Sequence, residues 1–295
     1  MRPGADVAVP SGMTHDARDE ISPHEGFRAT ASGRIPTLGK VGAVCFSTLA
    51  ITVLSTVSAH ALTAAEVMLR SLQARTQGDN AASTFRVELR ERGGAMVTRT
   101  VESYRKDCDG SQRQLVVMRE PADVAGAAFL SWIHRDRYPD MWLYLPELGK
   151  PRQLNPATRG EAFMGSDFTY EDLGAPARDD RTHEIIDQPY LYGEPAYQVE
   201  STPRAHDLYS RIVTWVSRRT FLPLRVEYYD RNGELLKAGR FRDVRLVNGI
   251  PMPFTLEMEN VRTGHRTAVT VVHAAFDRPF DCALLSERGL SRGAR

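Results

Sequence analysis

Apolar and polar residues alternate along most of the chain from residue 85 onward. Phe85, Val87 and Leu89 interleave with Arg86, Glu88 and Arg90, the period of two that a strand shows when one of its faces is wet. Gly93-Gly94 then turns the chain into a second strand over residues 96–105. The same pattern predicts strands at 113–119, 127–134, 141–146, 196–202, 211–218, 222–229, 235–246, 253–261 and 266–273. Asp230-Arg231-Asn232-Gly233 reads as a hairpin turn in which Asn-Gly supplies the positive φ angles. Ten or eleven strands joined by short turns make an antiparallel meander. At one place the phase slips, because Phe241 cannot share a face with Val244 and Leu246, and a β-bulge near Arg242-Asp243 would repair it. Ahead of the strands, Thr63-Ala64-Ala65-Glu66 is a capping box that opens a helix with Val67, Met68 and Leu72 on its apolar stripe, ended by Gly78.

Two of the predicted strands have no wet face. Met141-Trp142-Leu143-Tyr144-Leu145 is apolar on both sides, and Phe129-Leu130-Ser131-Trp132-Ile133 nearly so. Each side of such a strand needs apolar cover. The inside of a curved sheet supplies one side; the other needs the helix or a bound apolar ligand, and the pattern leaves both open.

The run Val41 to Val57 is uncharged, is preceded by Arg34 and Lys40, and leads to Ala59-His60-Ala61. Positive flank, apolar stretch and small-x-small site make a secretory signal peptide over 41–61, with an uncleaved inner-membrane anchor as the alternative. Residues 1–40 show no apolar period and read as a disordered extension or an over-called start. The organisation expected is thus extension, signal segment and one folded domain over 62–295. Export would leave Cys108 and Cys282 in a compartment that permits disulfides, although the sequence does not bring their Cα atoms within bridging range.

Charge adds an exclusion. Lys and Arg number 38 against 37 Asp and Glu, so there is no basic excess to hold a phosphate backbone, and no nucleic-acid partner is expected. The chain lacks Cys-x-x-Cys, a phosphate-cradling glycine loop and a Gly-x-Ser-x-Gly elbow. His183-Glu184-Ile185-Ile186-Asp187 misses the second His of a zinc-protease helix and looks extended. No metal or cofactor is expected. Asp167 with Glu171 could be drawn as an acid/base pair, yet a polar residue followed by Glu and Asp172 at capping distance is more simply the start of a helical turn.

The residues between Trp132 and Leu173 hold MWLYLPELGKPRQL and FMGSDFTYEDL. In that order and separation these strings resemble the outer-membrane lipoprotein-sorting family, the LolA-like periplasmic proteins. The strand entry at Gly249 to Phe254 and the Thr-Gly-x-x-Thr turn at Thr263 to Thr267 agree with it. The resemblance implies a mainly β (α+β) fold, an incomplete antiparallel barrel covered by helices around an apolar cavity. The lining expected for that cavity is Trp132, Trp142, Tyr144, Phe163, Met164, Phe168 and Tyr170, with Leu224, Phe254 and Met258 from later strands. Lys150, Arg152 and Arg159 fall in loop-like sequence suited to partner docking or to a solvated turn. Against the family pattern, Cys282 stands where the chain departs from it and looks incidental. The function implied is a non-catalytic, monomeric periplasmic carrier of lipoprotein acyl chains or other lipid. The alternative is an accessory module of an inner-membrane lipid-exporting transporter complex; a hydrolase using Asp167 and Glu171 ranks third.

Overall fold

A computed structural model describes residues 61–94, 96–134, 136–174, 180–204 and 208–293. The extension at 1–40 and all but the last residue of the signal segment at 41–61 lie outside them. Helix α1 (Ala64–Arg75) opens as the capping box requires: Glu66 N donates to Thr63 Oγ1 at 3.2 Å and Thr63 N donates to Glu66 Oε2 at 2.8 Å.

All eleven predicted strands are present. They are β1 (Asn80–Arg90), β2 (Met96–Cys108), β3 (Ser111–Glu120), β4 (Ala128–Ile133), β5 (Asp140–Tyr144), β9 (Glu194–Pro203), β10 (Arg211–Ser217), β11 (Pro223–Tyr229), β12 (Leu235–Val247), β13 (Ile250–Asn260) and β14 (Arg266–Phe276). Three more were not read from the pattern: β6 (Arg152–Gln153), β7 (Arg181–Asp187) and β8 (Tyr190–Leu191). Two of these are only two residues long, too short to show a period, so the count of ten or eleven rises to fourteen. Two short helices complete the chain, α2 (Tyr170–Gly174) and α3 (Glu287–Gly293).

The strands form one antiparallel sheet in the order β6-β5-β4-β3-β2-β1-β14-β13-β12-β11-β10-β9-β7, with β8 beside β9. The ends β6 and β7 do not pair with each other, so the sheet curls without closing into a barrel. Register defines its inner face. Val199 lies opposite Thr214, Thr214 opposite Val226, Gly239 opposite Met258, Met258 opposite Thr267, Phe85 opposite Val101, and Val116 opposite Phe129. Directly opposed residues share a face, so one continuous apolar surface runs from β9 to β5. Helix α1 covers one end of it, where Val67 and Met68 pack with Val199, Val216 and Ile185. The segment 163–174 covers the other end.

The two dry strands are explained by this arrangement. Phe129 and Met141 pack inward beneath Phe163 and Tyr170, whereas Leu130, Trp142 and Tyr144 pack outward beneath Leu285 and Leu290 of the C-terminal segment. Protein covers both sides. The cover on the outer side comes from the chain's end, not from α1.

Three local expectations are corrected. Cys282 is not incidental: it is bonded to Cys108, with Cα atoms 6.0 Å apart, and ties the C-terminal segment to the end of β2. At residues 242–243 no residue is inserted: Arg242 pairs Thr255 and Val244 pairs Pro253 in unbroken register, and Asp243 takes φ 55°. Val244 and Leu246 are exposed, Leu246 at 72%, so no core face has to be repaired. In the 230–233 turn Gly233 has φ 79°, and Asn232 is not among the positive-φ residues. The extra residue is absorbed by a register shift at Tyr228 and Tyr229, the bulged form of a longer hairpin.

Candidate ligand-binding cleft

The residues expected to line one cavity are divided between the two faces of the sheet. Trp132, Trp142 and Tyr144 belong to the outer cluster. Trp132 and Trp142 meet edge to face with centroids 4.9 Å apart, Trp132 Nε1 donates to Leu285 O at 3.0 Å, and the Arg113 guanidinium lies 4.3 Å over the Trp132 ring. Phe163, Met164 and Tyr170 belong to the inner cluster, where the Phe163 and Tyr170 rings each stand 5.7 Å from Phe129. Phe168 is half-buried and its carbonyl accepts from Phe163 N at 2.7 Å. Leu224 and Met258 are buried; Met258 lies against Gly239, where an added Cβ would come within 3.1 Å of its methyl. Phe254 is half-buried beneath the Arg245 guanidinium.

The three cations expected to dock a partner differ in exposure. Lys150 and Arg152 are exposed. Arg159 is half-buried, donates to Pro139 O at 3.1 Å and stacks on Tyr138.

A cleft lies elsewhere, between α1 and the inner surface of β7 and β9–β11. It has a volume of about 210 Å³. Met68, Leu69 and Leu72 form its helical wall, Ile212, Pro223 and Val226 its floor, and Arg75, Arg181, His183, Ser201 and Tyr228 its polar side. Glu171 and Asp172 of α2 close one end. Asp167, drawn from sequence as Glu171's partner, does not line it.

The FMGSDFTYEDL segment is fastened across the inner face by a buried polar network. Lys237 of β12 is 3% exposed and pairs with Asp172, 5% exposed. Its ammonium also donates to Asp167 O at 2.9 Å. Asp172 accepts from Tyr209 Oη at 2.9 Å and from Thr169 N at 2.7 Å, which caps α2. Asp167 in turn accepts from Thr267 Oγ1 at 2.7 Å and pairs with His265 Nδ1 at 2.8 Å. These bonds satisfy buried charges that would otherwise be costly, and they give both carboxylates a fastening role.

Burial sets the electrostatics of the cleft. The Arg75 guanidinium is lowered from the usual arginine range by the packing around it, although the residue as a whole is exposed. Burial, then the Asp172 charge, pushes the Tyr209 and Tyr228 hydroxyls far above the ordinary 10.0. A phenol whose folded pKa is raised contributes stability that is complete below the unfolded pKa and is lost as pH rises beyond it. Unfolding free energy is therefore expected to fall above about pH 10. Tyr209→Phe should flatten that fall, as checked by urea titrations from pH 8 to 11.

Sequence reasoning passed over Arg75, Tyr228 and the His183–Ser201 pair, whose atoms lie 2.8 Å apart across β7 and β9. It also passed over Lys237, which had a signal. Lys237 is one of four lysines in the chain and stands in an apolar stretch at a core-facing position of its strand.

A family model whose description reads "Uncharacterized protein" matches residues 110–292. The chain belongs to that family. Among solved structures, it is 28% identical to a DUF1329 family protein from Desulfovibrio piger, with TM-score 0.72, covering 76% of this chain and 96% of that one. It is 25% identical, with the same TM-score, to a domain from Vibrio parahaemolyticus named for outer membrane lipoprotein sorting, covering 77% and 97%. A LolA superfamily protein from Nitrosomonas europaea shares the fold at 20% identity and TM-score 0.62, over 77% and 98%. No curated protein matches. The open, helix-covered sheet is thus the fold of LolA-like proteins. No helix among the described residues is long and apolar enough to cross a membrane, and no group of three or more His, Cys, Asp or Glu residues among them could hold a metal ion.

Proposed function

We propose that the protein is a non-catalytic periplasmic carrier that shields lipid or lipoprotein acyl chains in the cleft between α1 and the inner sheet face. The observation that carries this reading is the cleft itself, with Met68, Leu69 and Leu72 facing Ile212 and Val226 across open volume. Each CH₂ moved from water into such a site gains about 0.8 kcal/mol, and unbranched Met side chains adapt to varied tails. Likeness to a domain named for lipoprotein sorting supports the cargo class, and the signal segment read from the sequence supports the compartment. We place the site there in preference to the aromatic cluster of β4 and β5, because the C-terminal segment and the segment 163–173 pack on the two faces of those strands.

Native mass spectrometry of the full chain purified from the periplasm without detergent tests the reading. A co-purifying lipid or acylated peptide is expected, and Leu72→Trp, which fills the helical wall, should reduce its occupancy severalfold. Protein that carries no lipid, and takes up none from vesicles, would instead favour the accessory-module reading.

A further inference from the structure

We propose that the hairpin of β12 and β13 is a docking arm whose outer face seats on an anionic lipid surface. The inference concerns a surface separate from the cleft and stands without the carrier reading. Register makes the arm. β12 pairs with β11 only from Leu235 to Arg240, and β13 pairs with β14 only from Thr255 to Glu259. Residues 241–247 of β12 therefore pair with β13 alone, and residues 250–254 of β13 with β12 alone. Asn248 Nδ2 donates to Phe276 O at 3.3 Å and holds the turn of the arm against the end of β14.

The outer face changes character where the arm begins. Up to that point the outer face of β9–β14 is a field of paired charges: Arg211 with Glu200, Arg225 with Glu227, Arg240 with Glu257, and Arg266 with Glu259. On the arm the same face carries Val244 opposite Pro253 and Leu246 opposite Pro251, with Arg242 opposite Thr255. Val244 and Leu246 are exposed. The Arg242 guanidinium lies 4.2 Å over the ring of Tyr192, an exposed residue of the β8–β9 turn, and Tyr190 two residues earlier is 79% exposed. Arg242 forms no ion pair among the described residues. Asp243, the one acid of residues 241–254, lies on the opposite face, paired with Arg245, which covers Phe254. The outer face of the arm is thus apolar, free of acid and cationic. Aliphatic tips that enter the acyl layer, beside Tyr and Arg that stay at the headgroups, suit a lipid boundary, and a cation there favours anionic lipid.

A protein strand fits the arm poorly. Pro251 and Pro253 remove ladder donors from β13, and Arg242, Asp243 and Arg245 put charge along the free edge of β12, which opposes strand addition. Contact is left to the side chains of the outer face. The chain also enters the domain at this end of the sheet, where Leu62 and Ala64 share one cluster with Tyr197 and Phe221. The uncharged run 41–57 lies just ahead of that entry in sequence, so an anchor retained there would tether the domain by the arm's end.

Flotation of the full chain, purified from the periplasm, with vesicles of phosphatidylglycerol and phosphatidylethanolamine tests this. The protein is expected to float with the vesicles. Leu246→Asp should lower its partition about tenfold or more, the scale of one leucine withdrawn from an apolar site. Arg242→Gln should lower it about fivefold, the share of one arginine near an anionic surface, and change nothing on phosphatidylcholine vesicles. Met96→Asp, at an exposed apolar position on β2, should leave flotation as it was. Melting temperature and dodecanoate uptake should be unchanged in all three variants, since each position is exposed. A wild type that stays with the unbound protein, or Leu246→Asp that floats equally well, would overturn the inference. A dimer in solution that Leu246→Asp dissociates would overturn it too, by assigning the patch to a second copy. Vesicle docking without dodecanoate uptake would sink the carrier reading and leave the arm standing; uptake without docking would do the reverse.

Discussion

Lys237→Met is expected to destabilise the protein by about 3–5 kcal/mol, the cost of leaving a buried carboxylate without its counter-ion. Lys237 and Asp172 are 3% and 5% exposed, so solvent cannot replace the missing partner. The substitution also removes the donor to Asp167 O and the cation that stands 5.0 Å from the Tyr228 ring centre and 5.4 Å from that of Tyr209. Because the same ammonium holds both ends of the Asp167–Asp172 stretch, its loss should release that segment from the inner face. Asp172→Asn should be costly too, and the double substitution should cost clearly less than the sum of the singles, since groups in one network are not additive. Urea unfolding of the four proteins checks this. A loss under 1 kcal/mol for Lys237→Met, or simple additivity, would mean that the pair does not fasten the segment.

The disulfide carries the second large effect. Cys108 and Cys282 are 174 residues apart in sequence, so the bond closes a loop spanning most of the folded domain. Its removal should cost about 2–5 kcal/mol in the chain-entropy account, a melting temperature lower by roughly 5–15 °C for a domain of this size. It should also act locally. The C-terminal segment it anchors covers Trp132 and Trp142 through Leu285 and Leu290, so Cys282→Ser should shift tryptophan emission to the red well below the melting temperature. Reduced and oxidised protein with the same melting temperature and emission would contradict this role.

The fold was legible because its strands are long and wet on one side, and Phe85, Val87 and Leu89 announce their face without help from the rest of the molecule. β6 and β8, two residues each, carry no period, and their pairing depends on neighbours already in place. The site was less legible for a physical reason. Trp132, Trp142, Phe163 and Tyr170 look like a ligand surface because they are large and apolar, but the same property makes them good core. Which they are depends on what covers them, and that cover comes from residues 280–290 and 163–173, distant in sequence from β4 and β5 or joined to them by a long loop. The Cys108–Cys282 bond depends on the same docking of the C-terminal segment. The cleft is marked instead by polar residues at positions that face inward, His183, Ser201 and Tyr228 among them. Their meaning emerges only once register sets β7 beside β9 and α1 across both.

The central claim is that acyl chains lie between α1 and the inner surface of β9–β11. Photo-crosslinking of the full chain with a diazirine-bearing fatty acid, followed by peptide mapping, tests it most directly. Labels are expected on the α1 peptide holding Met68, Leu69 and Leu72 and on those holding Ile212 and Val226, with competition by unlabelled dodecanoate. Labels concentrated on Trp132, Trp142 and Tyr144, or spread over the surface without competition, would contradict it.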